Sequence, residues 1–330
     1  MIPRFNYTAR LTAASALALT LAAASPVLAQ SSAIDMSGWA KVDKIPKTEA
    51  TVVQVPVEIK QNGPERIDFA GKLRMLTQRI PASACNAAAG IGGKVAKGYL
   101  SASIGEIDRI MNALEYGDVF ISIKTPETDR RVLSRIGEMN EVWKPVRQEV
   151  LPIADHRVQS ATVEQIATTT QSAPEMLRLT QALVGDLIGE YADPSRLLAT
   201  DAVGLDIMGR QRMMPQLISK SACMIAEGLH TETAQDELAS AMDLFELSLQ
   251  ALTFGMPEAG VRPPANDAIR NGLQDVMARW NEIRPTIDLL RQTGSLSTAE
   301  REVVYDEMNT LTAMLNEVSR IYAEASTQTL

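Results

Sequence analysis

Residues 69–90 read FAGKLRMLTQRIPASACNAAAG, and residues 207–228 read IMGRQRMMPQLISKSACMIAEG. At a constant offset of 138, ten of these twenty-two positions are identical, pairing Gly71 with Gly209, Arg74 with Arg212, Met75 with Met213, Gln78 with Gln216 and Cys85 with Cys223. The correspondence continues outward. Ala113-Leu114-Glu115-Tyr116-Gly117 meets Ala251-Leu252-Thr253-Phe254-Gly255, and Pro126 meets Pro264. One residue is then lost, after which Trp143 and Arg147 fall opposite Trp280 and Arg284. The chain is therefore two copies of one module. A duplicated module can pack on itself about a pseudo-two-fold axis as a homodimer does, so that a residue on the axis faces its own equivalent.

The period is far too long for a solenoid. Helical spacing begins after the breaker Asn62-Gly63-Pro64 and suggests four helices per copy. In the first copy they cover about 66–100, with Pro81 as a kink, then 103–116, 128–151 and 163–191. In the second they cover about 195–229, 232–254, 267–290 and 298–325. Asp193-Pro194 reads as an N-cap with proline in the first turn, and Ser297-Thr298-Ala299-Glu300 as a capping box. The expected fold is all-α: two tandem antiparallel four-helix bundles, residues 63–192 and 193–330, packed as a pseudo-dimer.

Each helical residue advances about 100°, so Gly71, Arg74, Gln78 and Cys85 share one stripe, as do Gly209, Arg212, Gln216 and Cys223. If the first helices of the two copies pack in parallel, Arg74 faces Arg212. Two guanidinium groups repel unless something negative lies between them, and a planar oxyanion could accept forked hydrogen bonds from both. A glycine one turn before each arginine lets another backbone or a ligand come close. The alternative pairs the arginines with acids, Asp68 and Asp206, which are themselves equivalent across the repeat.

These residues resemble a known signature. Ala70-Gly71-Lys72-Leu73-Arg74-Met75-Leu76-Thr77-Gln78-Arg79 and Met208-Gly209-Arg210-Gln211-Arg212-Met213-Met214-Pro215-Gln216 are similar to the AGxxRMLSQR motif. That motif opens the sensor domain of type IV pilus chemotaxis transducers (the PilJ type) and of NarX-type nitrate/nitrite sensor kinases. The resemblance covers most of residues 64–330 and implies a periplasmic four-helix bundle. In the nitrate sensors two protomers hold one anion between their first helices, through the arginine matching Arg74 and Arg212. The resemblance thus implies a ligand site of Arg74, Arg212, Gly71, Gly209, Gln78, Gln216 and Arg79, in a covalent version of that dimer. Departures are the family's second arginine, present as Arg79 but replaced by Leu217, and prolines at different points, Pro81 and Pro215. No kinase or methyl-accepting output region is recognisable. The chain is expected to bind a nitrate- or nitrite-like anion and hand its state to a membrane-bound signalling or envelope protein. The competing expectation is a non-catalytic scaffold whose arginines are neutralised internally.

Residues 1–29 read as an export signal: Arg4 and Arg10, an apolar stretch Leu11 to Ala24, and a small-residue cleavage site Val27-Leu28-Ala29. The stretch is shorter than the roughly 20 residues that span a bilayer, so the expected location is periplasmic, with an uncleaved anchor as the alternative. Residues 30–62 read as an extended segment in which Ala50 to Ile59 partly alternates. Removing residues 1–29 takes two arginines and no acids from a formal charge of −8, leaving −10, which argues against nucleic acid and against anionic lipid surfaces as general partners, though not against a small anion at a local positive site. Cys85 and Cys223 either bridge, as an exported setting and the symmetry favour, or pack as two small apolar side chains. The two histidines, His156 and His230, are not equivalent and show no metal-ligand spacing. No metal, cofactor or enzymatic activity is expected. Trp143 and Trp280 read as core anchors.

Overall fold

The computed structural model describes residues 62–155, 163–191 and 199–328. These residues form nine α-helices and no extended strand. The first copy comprises α1 (Gly63–Ala88), α2 (Gly93–Tyr116), α3 (Arg130–Ala154) and α4 (Val163–Tyr191). The second comprises α5 (Ala199–Gln211), α6 (Met214–Ala226), α7 (Thr231–Phe254), α8 (Asp267–Thr293) and α9 (Thr298–Gln328). Within the first copy α1 packs on α2 and α4, and α3 on α4; in the second α6 packs on α7 and α9, and α8 on α9. The copies meet along α1 and α6, with α5 beside them. Their buried apolar side chains form one continuous core running through both copies.

Local signals explain where the helices start and stop. The Asp129 carboxylate accepts the N–H groups of Arg131 and Val132 at the start of α3, and the equivalent Asn266 caps α8 through Ile269 N–H. Ser297 and Glu300 bond reciprocally at the start of α9, as the capping-box reading requires. Gly117 and Gly255, at φ 87° and 81°, end α2 and α7.

Three sequence expectations need correction. The first helix does not run to residue 100. It ends at Ala88, and a turn through Gly90 and Gly92, both at positive φ, leads into α2 at Gly93. A Cβ at Gly92 would lie 2.9 Å from the Tyr305 ring, so the turn needs glycine on steric as well as conformational grounds. His230 takes the equivalent place in the second copy, at φ 44° before α7. Second, residues 195–229 are not one helix. Met213 N–H bonds Arg210 O, three residues back, and α6 restarts at Met214. Pro215 lacks an N–H, and its ring would press on the carbonyl of Gln211, the last residue of α5. Third, α1 continues through Pro81 without interruption, braced by α2, α4 and α6. The export signal, the extended segment 30–61, His156 and the Asp193-Pro194 cap lie outside the described residues.

Candidate functional site

The first helices of the two copies run in parallel. The Cys85–Cys223 disulfide joins them, with the Cα atoms 6.2 Å apart. Eleven residues nearer the N-terminus in each copy, the equivalent pair Arg74 and Arg212 also meets, as a parallel register requires and an antiparallel one would not allow. Both side chains are almost fully buried, at 5% and 6% exposure.

Helical side chains lean toward the N-terminus, so each arginine reaches back across the seam to an acid six positions before its own equivalent. Arg74 Nη1 donates to Asp206 Oδ1 at 2.9 Å, and Arg212 Nη1 lies 3.1 Å from Asp68 Oδ1. The exchange is reciprocal, as a pseudo-two-fold demands. Gly71 and Gly209 make room for it: a Cβ at Gly71 would sit 3.3 Å from Arg212 Nη2, and one at Gly209 3.7 Å from Arg74 Nη1. What comes close to each glycine is the other copy's guanidinium. The acid pairing read from the repeat is thus present, crossing between copies.

The charges do not cancel. Arg210 also binds Asp206, with Nη2 2.8 Å from Oδ2. Three guanidinium groups therefore share two carboxylates, leaving one positive charge in excess. Nothing in the sequence singled out Arg210, because its equivalent Lys72 turns instead to Glu106. The Nε atoms of Arg74 and Arg212 are buried and have no hydrogen-bond partner among the described residues. Burial holds the Arg74 pKa below its ordinary value; Asp206 partly offsets this, and the neighbouring Arg210 and Arg212 add to the depression. The rim is more open than the arginines, with the Asp68 side chain 54% and that of Asp206 29% exposed.

The remaining residues read as site members are arranged differently. Gln216 turns into its own bundle, where its amide nitrogen donates to Asn309 Oδ1 and Thr312 Oγ1 on α9. Among the described residues Gln78 donates only to the adjacent Thr77 hydroxyl. The carbonyl oxygens of both glutamines are buried without a donor. Arg79 lies over the Tyr99 ring, 5.2 Å from its centroid, and has no acid partner among the described residues. Counting about 100° per residue from Gly71, it is some 80° away and off the stripe. No cluster of metal-ligating side chains occurs among the described residues.

The family described as PilJ, type IV pili methyl-accepting chemotaxis transducer N-term, matches residues 59–175 and again residues 198–303. The chain belongs to the PilJ family. The two matched segments correspond to the two copies, so the PilJ module is present twice and the arginine seam is the surface on which the two PilJ copies meet. No curated protein matches the chain. No helix among the described residues is long and apolar enough to cross a membrane.

Both PilJ copies contain a further repeated group, built around the tryptophans. Trp143 Nε1 donates to Asp108 at 2.8 Å, and Arg147 Nε binds the same carboxylate at 2.8 Å. In the second copy Trp280 Nε1 donates to Glu246 at 2.9 Å, and Arg284 binds that carboxylate too. Both indoles are buried, which fits the anchor reading. These groups lock α2 to α3 and α7 to α8, and they stand apart from the arginine seam.

Proposed function

We propose that this chain is a periplasmic sensor-type module of the PilJ family that binds one small oxyanion of the nitrate or nitrite kind between its two copies. Arg74 and Arg212 are its principal ligands, Gly71 and Gly209 give the guanidinium groups their room, and the bound state is handed to a membrane-bound signalling or envelope partner. The observation that carries the reading is the excess cation on the seam, with both arginine Nε donors buried and unpaired. Buried donors without acceptors carry a desolvation cost that an entering acceptor would relieve. An anion would compete with Asp68 and Asp206 for the arginines. Asp68 gives way first, because ion pairs to exposed carboxylates contribute little. The break between α5 and α6, beside Arg212, offers a joint at which a shift of that arginine can move one copy against the other.

A second reading has its own observation. The reciprocal Arg74–Asp206 and Arg212–Asp68 pairs are what a scaffold would use to neutralise its seam. Calorimetric titration with nitrate, nitrite and other oxyanions separates the two. The sensor reading expects saturable binding that Arg74→Ala or Arg212→Ala removes. The scaffold reading expects both variants to lose stability while no oxyanion binds the wild type.

A further inference from the structure

The loop after α2 and the loop after α7 share one backbone. Each follows a positive-φ glycine, is closed by one antiparallel bridge (Asp118 with Ile123, Met256 with Val261), and contains a short 3₁₀ turn (Val119–Ile121, Pro257–Ala259). The inward anchors Ile123 and Val261 are both buried. The tips differ in chemistry. In the second copy the tip is Pro257-Glu258-Ala259, an ordinary solvated turn. In the first it is Val119-Phe120-Ile121, with Phe120 89% and Val119 66% exposed. The second copy demonstrates that this backbone forms with a charged tip, so the fold does not require the apolar one.

Two further features accompany the tip. The helix before each loop ends on an exposed aromatic residue, Tyr116 or Phe254. Each loop then carries an exposed cation at equivalent positions, Lys124 and Arg262, neither with an acid partner among the described residues. Because α2 and α7 run back along parallel first helices, both loops lie at the same end of the bundles, where the chain enters at Asn62. Lys124 N–H donates to the Asn62 side chain there, at 2.8 Å. The acid nearest the tip, Asp118, is occupied by Arg109.

We propose that this end of the molecule docks on an anionic lipid surface, with Val119 and Phe120 entering the headgroup region and Lys124 and Arg262 meeting lipid phosphates. A convex tip with an almost fully exposed phenyl ring suits a deformable surface better than a protein groove. Aromatic side chains flanked by unpaired cations are the residue types that partition to the membrane–water boundary. Glu258 at the second tip makes the first copy's loop the leading contact. The proposal is independent of the anion reading.

The test is sedimentation of the full chain with phosphatidylcholine vesicles, with and without phosphatidylglycerol. Phe120→Ser should weaken partitioning about tenfold or more, and Lys124→Glu with Arg262→Glu should remove the preference for phosphatidylglycerol. Both changes are on exposed side chains, and an unchanged melting temperature confirms the fold. A polarity-sensitive fluorophore on Phe120→Cys, unique because the native cysteines are bridged, should shift to the blue with vesicles. The same label on Val303→Cys, near the start of α9 at the other end, should not. Failure of the wild type to sediment, or equal sedimentation of Phe120→Ser with no shift of the label at position 120, would overturn the proposal.

Discussion

Replacing both bridged cysteines, as Cys85→Ala with Cys223→Ala, should cost the protein a large share of its stability. The bridge closes a loop of 138 residues, one full repeat. Chain-entropy arguments put the constraint on the unfolded state at about 5 kcal/mol for a loop of that length. Deleting two sulfur atoms at sites 0% and 4% exposed adds a smaller packing loss. Natural domains are stable by only about 5–15 kcal/mol, so the loss is a third of the total or more. The folded state should be otherwise unchanged, because the continuous core and the Arg–Asp pairs still join the copies. Guanidinium unfolding followed by far-ultraviolet circular dichroism, on oxidised wild type and the double variant, measures the difference. The expected result is the same helical signal before unfolding and a much lower midpoint. A double variant within about 1 kcal/mol of the wild type would refute the reasoning, since it would mean that the unfolded copies are not freed by losing the bridge.

Other consequences follow from the same geometry. A double-mutant cycle on Arg74 and Asp206 should give a coupling of about 1 kcal/mol, and one on Arg212 and Asp68 about half that, because Asp68 faces solvent; equal couplings would contradict the burial argument. Tyr191→Phe removes the hydroxyl that donates to Glu127 at 2.7 Å and should cost about 1.5–3 kcal/mol in denaturant unfolding. Glu127→Gln should cost more, about 3–5 kcal/mol, because Arg66 is fully buried and pairs with that carboxylate. If the glutamine variant proved the milder of the two, Arg66 would have another counter-charge. Trp143→Phe and Trp280→Phe each lose one bond to a carboxylate and should destabilise by similar amounts, about 1.5–3 kcal/mol before packing losses. A tenfold difference between their effects on the folding equilibrium would show that the two tryptophan groups are not equivalent.

The parts that were legible in the sequence are those the repeat carries. A fixed offset pairs Arg74 with Arg212 and Cys85 with Cys223, and only parallel first helices bring both pairs together. The reciprocal use of Asp68 and Asp206 follows from that register and from the N-terminal lean of arginine. Features confined to one copy were hidden for the same reason. Arg66, Glu127 and Tyr191 form a buried group at the base of the first bundle, but the positions equivalent to the first two are Gly204 and Ala265. The α1–α2 turn did have a local signal, three glycines among residues 90–93, which the alanine-rich surroundings obscured. The fate of Gln216 depends on Asn309 and Thr312, more than ninety residues away, and no local pattern announces such a contact.

In the proposed function, Arg74 and Arg212 act together on one anion at the seam between the copies. The most direct measurement follows the Nε–H resonances of these two arginines by nuclear magnetic resonance as nitrate is added, with Arg74→Lys and Arg212→Lys used for assignment. Joint ligation predicts that both resonances move along one saturation curve with a single dissociation constant, while that of Arg79, off the stripe over Tyr99, stays in place. Resonances of Arg74 and Arg212 that remain fixed through the titration, with nitrate or any other oxyanion, would contradict it.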